Sequence, residues 1–392
     1  MNELLNNLHQ QWIDEFLKIA PKSNVLRKTI HQDPHVSGEE GPTKELMVEE
    51  LGINFDDAAE TGAVGRIGPA IGPSIGMRGE LDALPVAEKT NVKWSATSNK
   101  MHACGHDVHL AALAGVVNSA KNLDLPFGLV PILQPREETY PSGALDISES
   151  SLLEKHEVSH VIGAHVHPAI QLGSIATGSG FVNAAAGEIE INVSGKGGHG
   201  AYPHKASDVA IPTAQIALGL SEVVRRTNDP MSPAVVSIGS MSVGSGAANV
   251  LPQSGTILAT IRSTSVEKNI EIANNINQFV MHTAQSLGCS AEAKYTPGEP
   301  ALVNAHSLAI KFESYAASID IPIAEPMRSL GADDFSYYGE KCPSLMCFVG
   351  VNEGNTPSLH DAAFLPADEA ITHVAKALIT GYIAAADNLM ES

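Results

Sequence analysis

The stretch MHACGHDVH, residues 101–109, sets Cys104, three histidines (His102, His106, His109) and Asp107 within nine positions. A thiol, imidazoles and a carboxylate together suit a borderline metal such as zinc. The same stretch also holds the parts of a thiol nucleophile with a histidine base. Further candidates lie elsewhere: Glu80 and Asp82 in GMRGELDALP, Glu137 and Glu138 in VPILQPREET, His165 and His167 in VIGAHVHP, and His360 in SLHDAAF. Taken singly, each has a plain reading. A Glu-Glu pair is a solvated turn, and a histidine after an apolar strand is a hydrogen-bonded structural residue. His102 and His109 read as loop or helix-surface residues, and Cys104 alone as an inert buried thiol. Taken together, they point to a metal. Cys104 and His106 stand two apart just before a helix, so both can turn toward one ion. Neighbours in extended chain face opposite sides, which gives Glu137 and Glu138 separate roles. One can bind metal while the other takes a proton from the water that the metal acidifies. This is a hydrolase layout.

The surrounding elements explain how residues so far apart would meet. PSIGMRGELD, GLVPILQP, SHVIGAHVHP and PSLMCFVGV read as buried strands, with helices PTKELMVEELG and HDVHLAALAGVVNSAKNL between them. A long helix over PADEAITHVAKALITGYIAAADNLM closes the pattern, opened by Pro366. The candidate residues fall just past strand ends, where open α/β sheets bind ligands. Between residues 183 and 296 the order changes to β-α-β-β-α-β, a ferredoxin-like split sandwich. The expected architecture is an α/β catalytic domain over 1–182 and 297–392, interrupted by a smaller domain over 183–296.

The formal charge of −20, from 44 acidic and 24 basic residues, argues against nucleic acid as a partner. A composition of 43% hydrophobic and 17% charged residues is that of a globular protein, and 392 residues suggest about two domains. The opening residues read as an amphipathic helix rather than a secretory signal, and no apolar run is long enough to span a membrane. Four scattered cysteines make no disulfide framework, so a reduced, cytoplasmic setting is expected.

With these motifs in order, the chain resembles the metal-dependent aminoacylase and carboxypeptidase family. The likeness is strongest to its amidohydrolase branch of hippurate, indole-acetyl-amino-acid and N-acetyl-diaminopimelate hydrolases. It runs from IHQDPHVSGEE through MHACGHDVH, QPREE, GKGGHGAYPH and GADDFSYY to SLH, nearly the whole chain. The resemblance implies a dinuclear metal site on Cys104, His106, Glu138, His165 and His360, with Cys104 bridging two divalent ions (zinc, manganese, nickel or cobalt) in each subunit. It makes Glu137 the general base, and the inserted domain a lid that carries a homodimer interface. In that domain His199 would stabilise the oxyanion, often across the dimer, while Asn249 and Arg262 would meet the substrate. Arg262 suits a carboxylate by its bidentate fork. Asp82 and Asp107 match acidic positions behind the metals, where they would orient imidazoles or steady the loop. For Asp107 a helix cap is the alternative.

The implied activity is hydrolysis of a small N-acyl amino acid. A thiol amidase on Cys104 and a metal-binding scaffold without turnover stay open as alternatives. Departures from the family pattern at Glu80, Arg136, Tyr140, His167 and Asp361 bear on the pocket wall and so on substrate choice.

Overall fold

The computed structural model describes residues 2–244 and 246–391, which form two compact units. The first takes the chain up to Val182, Val303–Met327 and the part from Asp334 onward. The second takes Asn183–Leu302 and Arg328–Asp333.

The first unit opens with helices α1 (Glu3–Gln32) and α2 (Gly41–Leu51) and a hairpin of β1 (Phe55–Ala58) and β2 (Gly62–Gly65). Strand β3 (Ser74–Glu80) leads to helix α3 (His106–Ala120) and β4 (Gly128–Gln134). Short helices α4 (Gly143–Glu149) and α5 (Leu152–Lys155) precede β5 (Val158–Gln171) and β6 (Ile175–Ala176). The chain leaves this unit along β7 (Gly180–Asn183).

In the second unit, β8 (Ala185–Ser194) and β9 (Gly198–His199) precede helix α6 (Ala210–Thr227). Strands β10 (Ala234–Val243), β11 (Val250–Leu251) and β12 (Ser254–Ser263), helix α7 (Val266–Ser286) and β13 (Ser290–Pro297) complete it. Its main sheet runs β10-β12-β8-β13, antiparallel throughout. Alternation on β8 turns Ile189, Ile191 and Val193 into the core and Glu188 and Glu190 outward. The inward set packs with Ile216 and Leu220 of α6 and Ile272 and Ile276 of α7. This is the ferredoxin-like order read from the sequence.

The chain re-enters the first unit through β14 (Leu302–Asn304), followed by α8 (His306–Ala317), α9 (Ser336–Gly339), β15 (Ser344–Asn352) and α10 (Glu369–Glu391). The sheet here has the order β1-β2-β4-β3-β5-β15-β6, with a parallel centre of β4, β3, β5 and β15. Its central strands are buried on both faces, as apolar runs such as GLVPILQ require. Helix α3 is apolar all round and correspondingly buried, lying between the sheet and helices α1 and α10. Each of its fully buried Leu and Val side chains contributes roughly 1.5–3 kcal/mol.

Two expectations need correction. Pro366 lies outside α10, which begins at Glu369 after a turn through Ala367 and Asp368. His165 and His167 lie inside β5, not past its end. Met77 pairs with Ile162, so by register His165 is level with Glu80, where β3 stops. The longer strand carries its histidines to the height at which its neighbours end.

Candidate metal centre

The loop into α3 turns on Gly105, whose φ of 86° is left-handed. A Cβ there would stand 2.4 Å from Val166 Cγ2, so only glycine lets the loop press this closely on β5. The turn aims Cys104 and His106 inward together. Cys104, His106 and Glu138 bring a sulfur, a nitrogen and an oxygen within 4.8 Å of one another. His165 Nε2 lies 3.5 Å from Cys104 Sγ, and His360 Nε2 lies 3.3 Å from Glu138 Oε1. Glu137 Oε2 is 3.8 Å from His106 Nε2. Six residues drawn from four stretches of sequence thus meet beyond the parallel centre of the sheet. His360 stands at φ 67°, a conformation rare for a side-chain-bearing residue, and its N–H donates to Ala103 O at 2.9 Å. Arg136, at φ 50°, makes the turn that delivers Glu137.

The tautomers follow from the hydrogen bonds. His106 Nδ1 donates to the Asp82 carbonyl at 2.8 Å, which turns Nε2 inward, buried and without a hydrogen-bond partner. His165 Nδ1 donates to the Val166 carbonyl at 2.8 Å, which directs its Nε2 lone pair toward Cys104. Imidazoles held in this way are typical of metal ligands. Burial, then the charges of Glu138, Glu137 and Glu80, push the Cys104 thiol well above its ordinary range. A divalent cation bound beside it would turn such a thiol into a thiolate. Burial opposes the charge of Glu138, but His360 and His106 hold its carboxyl below the ordinary range. His360 is raised by the same contact. A thiol, three imidazoles and a carboxylate with these lone pairs directed inward fit a pair of borderline divalent ions.

Asp82 supports this group from behind. Its carboxylate accepts from Ser37 Oγ at 2.8 Å and from the Glu138 N–H at 2.9 Å, while its carbonyl holds His106. Asp107 turns elsewhere. It takes Arg27 Nε at 2.9 Å and His31 Nδ1 at 3.0 Å, and His31 Nε2 lies 3.1 Å from Glu88. The imidazole it holds is therefore not one of the proposed ligands, and the helix carries no side-chain cap. Asp107 braces α3 against α1. Against burial, Arg27 and His31 hold its carboxyl far below the ordinary range.

His102 lies in the loop before α3, as read, but buried; the helix-surface reading of His109 is wrong, since it too is buried. Burial drives His102 down to about 3. His109 Nδ1 contacts Glu80 Oε2 at 3.1 Å, and its Nε2 accepts the Val166 N–H at 2.9 Å. Glu80 pairs with Arg78, which reaches Asp334 at 3.2 Å. Arg78, Glu80 and His109 form a network the sequence reading did not find, although the all-apolar helix carrying His109 signalled that it would be buried.

Among the departures, Arg136 turns away to Glu60, Asp146 and the Pro141 carbonyl, tying down its loop. Tyr140 is 63% exposed. His167 is half-buried, with its ring edge-on to Phe348 at 6.0 Å, and Asp361 accepts the Ala363 N–H.

In the second unit, β9 pairs with β11, and the Gly200 N–H donates to Asn249 O at 2.8 Å. His199 and Asn249 line one cavity of about 640 Å³ with Gly197, Pro252, Gln253 and Ser254. Arg262 is not part of it. It pairs with Ala186 and Val235, eight residues along β12 from Ser254, roughly 27 Å of strand.

A parallel sheet with this donor set beyond its strand ends, interrupted by a βαββαβ sandwich, defines the metallohydrolases of the aminoacylase and carboxypeptidase class. The sequence model of Peptidase family M20/M25/M40 matches residues 76–380, and the chain belongs to that family. It is an amidohydrolase, as the sequence motifs implied. An N-acetyldiaminopimelate deacetylase of Anoxybacillus flavithermus is 30% identical over 366 residues, covering 91% of this chain and 96% of the relative. Its Bacillus subtilis counterpart is 28% identical over the same share of both chains. A solved Bacillus subtilis structure, described as a dinuclear metal binding peptidase from the M20 family, superposes with a TM-score of 0.82 at 26% identity. The superposition covers 94% of this chain and 99% of that one.

Proposed function

We propose that the chain hydrolyses the amide bond of small N-acyl amino acids, using two divalent ions held by Cys104, His106, Glu138, His165 and His360. The observation that carries this reading is the Nε2 of His106, buried without a hydrogen-bond partner beside the Cys104 sulfur and the Glu138 carboxylate. Divalent ions bound there supply Lewis acidity toward the scissile carbonyl and lower the pKa of water. The chain's own residues do the rest. Glu137 takes the proton of the attacking water on Oε2 as the C–O bond forms. It returns that proton to the amide nitrogen as the C–N bond breaks. His199 Nδ1 accepts the Ala201 N–H at 3.1 Å, so its proton sits on Nε2, where it can donate to an oxyanion. Asn249 serves the substrate's polar groups beside His199, and Arg262, roughly 27 Å of strand away, takes the substrate carboxylate from the other copy of the homodimer. Asp82 keeps His106 and the Glu138 loop in register, and Asp107 steadies the first turn of α3.

The named substrate of the two deacetylase relatives, an N-acetyl amino acid, supports the substrate class. The protein works as a homodimer through the inserted unit, in the cytoplasm. Among the described residues, no helix is long and apolar enough to cross a membrane. The test is amine release from a panel of N-acetyl, N-benzoyl and longer N-acyl amino acids, with Zn²⁺, Mn²⁺, Co²⁺ or Ni²⁺ supplied in turn. Turnover of at least one class is expected. A metal-loaded protein that releases no amine across the panel contradicts the reading.

A further inference from the structure

His109 stands one turn into α3 from His106 and joins three elements through a single ring. The ladder between β3 and β5 stops at the Met77–Ile162 pair. Four residues further along β5, the Val166 N–H donates to an imidazole, His109 Nε2, at 2.9 Å. Accepting that proton at Nε2 places the ring's own hydrogen on Nδ1, which donates to Glu80 Oε2 at 3.1 Å at the end of β3. Arg78, itself bonded to Gln134 and Asp334, holds Glu80 in turn. Of these five side chains all but His109 come from strand ends or the loop before α9, so the ring ties the network to the helix.

By distance alone, Glu80, His106, His109 and His165 form a group whose ligand atoms lie within 4.8 Å of one another, and the group reads as a metal site. The hydrogen bonds say otherwise for His109, because both of its nitrogens are engaged within the protein. The Val166 peptide is also where His165 anchors its own ring, through Nδ1 to the Val166 carbonyl at 2.8 Å. One peptide unit therefore carries both the strap from α3 and the orientation of His165.

We propose that His109 is a positioning residue and not a metal ligand: by holding the Val166 amide it fixes the β5 main chain so that His165 presents Nε2 beside Cys104, while Glu80 fixes the tautomer of His109. This rests on the metal-centre reading above. Two substitutions separate the ring's two contacts. His109→Gln carries an acceptor near the Nε2 position, whereas His109→Asn keeps a donor for Glu80 and falls short of the Val166 amide.

The measurement is Co²⁺ binding by equilibrium dialysis, with the absorption spectrum of the loaded protein and its thermal unfolding recorded alongside. Wild type and both variants are expected to hold two Co²⁺ per chain and to keep the thiolate-to-Co²⁺ band of Cys104. The Asn variant should bind on the order of 10- to 100-fold more weakly, and the Gln variant within a few-fold of wild type. Loss of one ion, or a d–d spectrum shifted to fewer ligands, would make His109 a ligand and overturn the proposal. Wild-type affinity in the Asn variant overturns it equally. Glu80→Gln gives an independent arm should the Asn variant not fold: a several-fold loss of affinity with two ions retained supports the proposal, and no change contradicts it. Wild-type protein that takes up no Co²⁺ removes the metal reading itself, and the inference with it.

Discussion

The strand-end cluster of the first unit and the His199 loop of the second are both polar, but they are built in different ways. Cys104, His106 and His165 are buried, and a main-chain carbonyl holds the outer nitrogen of each of the two imidazoles. Behind them stand Asp82, Ser37, Glu80 and His109, each with a directed hydrogen bond. His199 and Asn249 are exposed at a ribbon of two-residue strands, where the His199 ring accepts the backbone amide of Ala201 and lies 5.6 Å from the Tyr202 ring. The first region has already met the desolvation cost of its polar groups and is preorganised for a cation. The second is a set of donors whose geometry is completed by what binds to it. A binding centre needs the first kind of construction, whereas a group that meets a transition state need only be in place when the substrate is.

The sharpest way to break this contrast is at Glu137. Glu137→Gln should lower hydrolysis roughly 10²- to 10⁴-fold while metal content stays at the wild-type level. Substantial activity in that variant would move the general base elsewhere.

Arg27→Ala probes the supporting frame, since it leaves the fully buried Asp107 carboxylate with His31 but without its guanidinium partner. A loss of about 3–5 kcal/mol in denaturant unfolding is expected. A loss below 1 kcal/mol would mean that this pair is not what braces the helix.

In the second unit, His199→Ala should cost about 10²- to 10³-fold in kcat, with unfolding and metal content unchanged because the side chain is exposed. An unchanged kcat would leave the ribbon without a part in the chemistry.

The smallest effect concerns an imidazole outside both regions. His9 is wholly buried against Thr380, and burial lowers its pKa from 6.5 to about 4. The unfolded chain then binds more protons between those values, so stability rises with pH across this window and is lost as pH falls from 6.5 toward 4. The loss reaches ~3 kcal/mol at most. His9→Gln should flatten that slope in unfolding curves taken at pH 4 to 7, and an unaltered slope would assign it to other groups.

How much of this was legible in the sequence depended on whether the information was local. Cys104-Gly-His106 and Glu137-Glu138 are adjacent pairs whose chemistry shows in their spacing, and the apolar runs bringing His165 and His360 near them show their period directly. The βαββαβ order of the second unit was legible for the same reason. The link from Glu80 through His109 to Val166 was not, because it joins residues 29 and 57 positions apart through tertiary contact alone. His102 and His109 read as loop or helix-surface residues, and the depth at which both are buried was not legible from their type. The run LAALAGVV beside them was the better signal, since a helix apolar all round is buried all round. The family resemblance places Asp107 behind the metals, with a helix cap as the alternative. On a helix, adjacent residues point about 100° apart, and this one points at Arg27.

The central claim is that these residues hold metal and that the metal is needed for amide hydrolysis. It is tested most directly by exhaustive chelation followed by stoichiometric return of Zn²⁺ or Co²⁺, with bound metal and amine release from an N-acyl amino acid measured on the same samples. The account predicts two ions per chain, activity lost on chelation and recovered in step with metal uptake, and no recovery in Cys104→Ala. Full activity in the chelated protein would contradict it.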